Sequence, residues 1–71
     1  MDGLVRSKQI WESRRSGIQF EVLAMARHAQ VCSYGMVVYQ NLTATEDAPA
    51  GTTWVLDEDI FIKRMVNIEN K

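Results

Sequence analysis

Phe20-Glu21-Val22-Leu23-Ala24-Met25-Ala26-Arg27-His28 is the stretch whose reading decides the fold. From Ile18 onward, apolar or small side chains stand at every second position through Phe20, Val22, Ala24 and Ala26 to His28. That alternation is the mark of a strand. A helix is the rival, because residues 19–30 are rich in Glu, Leu, Ala, Met and Arg, all good helix formers. Gly17 and Tyr34-Gly35 bracket the segment closely, however, and its other side is apolar as well. Such a strand is covered on both sides for part of its length, or bends across a barrel. With the even positions facing inward, Ala24 and Ala26 suit a curved interior, and Glu21, Leu23, Met25 and Arg27 face outward.

The flanking segments extend this pattern. Residues 9–13, with Ile10 and Trp11, form a first strand that pairs with 18–26 across an Arg14-Arg15-Ser16-Gly17 turn. Residues 36–42 are β-branched and aromatic with no breaker, and make the firmest strand. Residues 43–51 carry Pro49, Gly51 and two acids, and are long for a hairpin loop. Loops of that length are either slack or functional. Residues 52–56 are a fourth strand. Residues 57–59 make one helical turn with Asp57 as its N-cap. Ile60, Phe61, Ile62, Met65 and Val66 then close the fold as a last short strand. The expected class is mainly β: a small five-stranded barrel or roll with one short helical turn.

The 71 residues make one domain, ordered over about 9–66, with tails at 1–8 and 67–71. A chain of this size buries only about 60% of its unfolded surface, so its core is marginal. A disulfide is excluded by the single cysteine, Cys32, and a Cys/His zinc site is undercut by the single histidine, His28. Self-association is the remaining staple, and a homo-oligomer is expected on that ground. No cofactor is implied.

Eight basic and nine acidic side chains leave a net charge of −1, which argues against a general nucleic-acid binder. A local patch of Arg6, Lys8, Arg14 and Arg15 keeps that class open as a third reading. No apolar run approaches the roughly 20 residues of a membrane span, and no signal sequence stands behind Met1. The unpaired cysteine fits a reducing compartment, so a cytoplasmic setting is expected.

A longer pattern also emerges: Gly17, Phe20-Glu21-Val22-Leu23, Ala26-Arg27-His28, Val37-Val38-Tyr39, Leu42, Trp54-Val55 and Phe61. It resembles a small single-domain family of bacteria and their phages, in order and nearly all spacings, over residues 17–66. The resemblance implies an SH3-like β-barrel or roll and a phage or prophage accessory protein, and brings no established activity with it. Two departures stand out. Ala29-Gln30-Val31-Cys32 replaces acids after the family's His, and Leu56-Asp57 replaces its Arg-Pro.

Catalysis by His28 and Cys32 lacks a nameable oxyanion donor or acid–base partner, and no enzyme is expected. Asp57-Glu58-Asp59 reads as capping rather than as a cation loop. Arg27 is the more informative residue, since an Arg among apolar side chains on a sheet face suits an interface. The expected binding set is Leu23, Met25, Arg27, His28, Tyr39 and Trp54. Its first expected use is docking a protein surface, either a host or defence protein or a second copy. An alternative use is to sequester a nucleotide-type anion, with Arg27 and His28 on phosphate and Tyr39 or Trp54 stacking the base.

Overall fold

The structure, a computed structural model, describes residues 5–31 and 35–68. Five antiparallel strands form one sheet: β1 (Ile10–Ser13), β2 (Gln19–Arg27), β3 (Gly35–Asn41), β4 (Thr53–Asp57) and β5 (Met65–Asn67). One helix, α1 (Glu58–Arg64), joins β4 to β5. The sheet order is β4-β3-β2-β1-β5, so the helix leads from one edge strand to the other. It packs against β3, β4 and β5. The mainly β class, the first hairpin and the positions of β1 to β4 agree with the sequence reading to within a residue or two.

The hairpin turn forms because its polar side chains satisfy its own backbone. Ser13 Oγ accepts from Arg15 N at 3.2 Å and Ser16 N at 3.3 Å. Gly17 supplies the left-handed φ of 76° that closes it. Residues 5–9, the described part of the segment before β1, are tied to the sheet. Val5 is buried, Lys8 N donates to Val22 O, and Gln9 Oε1 accepts from Arg6 N and Trp11 Nε1.

The last segment also departs from expectation. Ile60, Phe61 and Ile62 are helical, and only Met65 and Val66 belong to a closing strand. Helical backbone there turns Phe61 into the core and leaves Ile60 39% exposed, and Met65 N donates to Phe61 O before the chain extends into β5. Asp57 caps the helix by accepting from Asp59 N at 2.9 Å. Glu58 and Asp59 in its first turn and Lys63 and Arg64 in its last complement the helix dipole.

The core lies between one sheet face and α1. Val5, Trp11, Val22, Val37, Tyr39, Phe61 and Met65 form it, with Phe20, Leu56 and Ile62 packed alongside. Phe61 is its hub, edge-on to Trp11 and to Tyr39 at 5.1 Å each, and Tyr39 meets Phe20 at 5.3 Å.

Candidate functional site

A bulge in β2 rearranges the expected binding face. Val22 pairs with Tyr39, but Ala24 pairs with Val38, so Leu23 is an extra residue with no partner on β3. Beyond it the alternation changes sides. Met25 pairs with Val37 and Arg27 with Gly35, which puts both on the core-side face, while Glu21 stays on the outer one. Ala24 and Ala26, expected in the interior, are exposed on the outer face. The assignment of Arg27, Met25 and Glu21 to one common face is therefore corrected.

The six expected binding residues separate accordingly. Leu23 and Met25 are each 39% exposed, and Arg27 is exposed. His28 turns its Nδ1 back on the chain, accepting from Gln30 N and Val31 N at 3.2 Å each. Tyr39 is part of the core, and burial pushes its phenol above the ordinary value of 10.0, partly offset by the Arg64 charge. Trp54 lies next to Tyr39 on β4, half exposed, with Nε1 donating to Asn41 Oδ1 at 3.2 Å. From the Gly35 level, where Arg27 sits, to the Tyr39 level of Trp54 is roughly 13 Å along the strand, with β3 in between. Arg27 and Trp54 are thus not brought together around one nucleotide-sized ligand. Cys32 lies outside the described residues.

Asn41 is the residue that organises the loop beside the candidate site, and sequence reasoning gave it no structural part. It is fully buried, and its Nδ2 donates to Thr43 O at 2.9 Å and Pro49 O at 3.0 Å. With Gly51 N donating to its own carbonyl at 2.8 Å, Asn41 gathers both ends of the 43–51 loop. Only its position at a strand end just before that loop offered any hint. The loop is thus an ordered feature with an internal turn, in which Thr45 Oγ1 accepts from Asp47 N and Ala48 N.

Two surfaces come out of this geometry. On the outer sheet face, Ala24, Ala26, Met36, Val38 and Val55 share one side of β2, β3 and β4, and Val55 is 59% exposed. The Gln40–Glu21 hydrogen bond at 2.9 Å bounds this apolar area. At the far end of the core-side face, a cleft of about 430 Å³ is lined by Ser13, Arg14, Arg15, Lys63, Arg64 and Met65. Arg14 and Arg15 belong to the expected basic set, while Arg6 and Lys8 do not line the cleft. No described helix is long and apolar enough to cross a membrane. No family model matches the chain, and neither a curated protein nor a solved structure shows significant similarity to it.

Proposed function

We propose that this chain is a non-enzymatic binding module that docks protein surfaces through the outer face of β2, β3 and β4, with a second copy of itself as the occupant. The observation that carries this reading is Val55, 59% exposed at the centre of an edge strand and flanked by Val38, Met36, Ala24 and Ala26. Contiguous apolar area of that kind marks an interaction site. The edge itself adds a second argument. β4 pairs only with β3, so its outer backbone groups can pair with another strand. Two β4 strands meeting antiparallel about Val55 would make one continuous sheet and set the two Val55 side chains against each other. A net charge of −1 sets up little repulsion between copies.

The strand order, with a short helix before the last strand, supports an SH3-like reading of the fold. The motif resemblance supports a phage or prophage setting in the cytoplasm, where the same face would meet a host or defence protein.

Sedimentation over a range of protein concentrations tests the proposal. The parent chain should show a concentration-dependent rise in mass, and Val55→Glu should remain monomeric with an unchanged circular dichroism spectrum. A parent chain that stays monomeric throughout would refute self-docking. In that case, Val55→Glu weakening capture of one identified host protein would point to the foreign partner.

A further inference from the structure

The cleft between the β1–β2 turn and the end of α1 concentrates positive charge in a chain whose net charge is −1. Arg14 and Arg15 come from the turn and Lys63 and Arg64 from the last helical turn, so half of the eight basic residues line one concavity. Among the described residues, no acidic one lines it. Compensation of the helix dipole accounts for Lys63 and Arg64 at most, and a helix end carries only about half a charge. It gives no reason for two further arginines from a different element.

The cleft is also built rather than loose. Arg14 N donates to Arg64 O at 3.0 Å, which ties the turn to the helix end. Ser13 Oγ accepts two turn N–H groups and still has its own O–H to donate. Met65 beneath is buried and supplies an apolar floor. Three guanidinium groups and an ammonium around a hydroxyl form the chemistry that recognises phosphate oxygens.

The geometry points to an anion site here for a chain of linked phosphates, held by Arg14, Arg15, Lys63, Arg64 and the Ser13 hydroxyl. The four positive charges match a di- or triphosphate better than a single phosphate. Among the described residues the lining holds no aromatic ring and no side-chain amide, so none of them stacks on a base or reads a base edge. The ligand is therefore recognised by its phosphates alone. The site lies away from Val55 and functions independently of docking through the outer face.

Thermal melting with tripolyphosphate, ATP and GTP at constant ionic strength, beside sulfate as control, tests the assignment. All three should raise the melting temperature alike and progressively, and sulfate should not. Arg15→Gln/Lys63→Gln, both exposed positions, should weaken tripolyphosphate by at least about tenfold. Lys8→Gln, outside the cleft, should not. A short single-stranded oligonucleotide distinguishes the sources. If a nucleic-acid backbone is the natural ligand, it binds more tightly than tripolyphosphate, and the double variant lowers its salt slope by about 1.4. If a free nucleotide is, tripolyphosphate binds more tightly. Should the double variant fail to fold, amide shifts of Arg14, Arg15, Lys63 and Arg64 in the parent on adding tripolyphosphate serve instead. Shifts elsewhere, no response beyond sulfate, equal binding by a folded double variant, or a preference between ATP and GTP would overturn the assignment.

Discussion

The two halves of β2 are one continuous strand with opposite fates. Before the bulge, Val22 is fully buried and Phe20 packs on the core; after it, every residue from Ala24 to Arg27 is exposed. Composition does not separate them, since Leu23, Met25 and the two alanines are as apolar as the first half. Cover does. β1 pairs with Gln19, Phe20 and Glu21 and extends no further along β2, and the aromatic cluster around Phe61 sits over the same end. The second half has β3 on one side only. A small domain with few large side chains can roof only part of its longest strand, and the unroofed part becomes the surface on which partners can act.

The sharpest way to break this comparison is to remove the roof. Phe61→Ala should cost about 3–5 kcal/mol, read by urea denaturation, and since a core this small rarely supplies more than about 3–5 kcal/mol, that unfolds most of the chain. Met25→Ala, in the other half, should stay within about 0.5 kcal/mol in the same assay. Asn41→Ala comes next. It strips the 43–51 loop of two donors and leaves Trp54 Nε1 without its acceptor, and should cost about 1–3 kcal/mol. Amide exchange should then quicken in that loop before it does in β1.

Deleting Leu23 sharpens the comparison differently. The residues on either side already face consecutive positions of β3, so the deletion closes a bulge without moving any other side chain to a new face. A stability change of about 1 kcal/mol or less is expected, with the Val38–Ala24 contact kept in NMR spectra. Inserting a residue after Val37 instead should disrupt the fold. The smallest effect is alkaline. Tyr39 titrates above 10.0 in the folded chain, because burial disfavours its charged form, so the unfolded chain loses this proton first. Its contribution is therefore intact below pH 10.0 and declines as pH rises above it, which pH-dependent melting with tyrosinate absorbance would follow. Tyr39→Phe should flatten that decline.

Much of this was legible from the chain. Alternation located β2, β-branched and aromatic content located β3, short apolar runs beside turn signals located β1 and β4, and Asp57 announced the helix start. What alternation could not show was the bulge, because an extra residue leaves the apolar pattern of 20–28 unchanged while reversing which side it faces. Arg27 and Met25 were placed on the wrong side for that reason alone. Phe61 read as strand because a short β-branched neighbourhood carries no period of its own. Half of the basic cleft was visible as Arg14 and Arg15. Lys63 and Arg64 join it only through the pairing of β1 with β5, a contact between distant parts of the sequence.

The Asn41 clamp has a practical consequence. A single buried side chain holds the feet of the 43–51 loop together, and Thr45 closes a small turn of its own further out. The residues at that tip can be exchanged for foreign peptide without asking the sheet to re-register. The protein is in this sense a ready-made display scaffold, one that would present a grafted epitope at a defined span and report misfolding through the neighbouring indole's fluorescence.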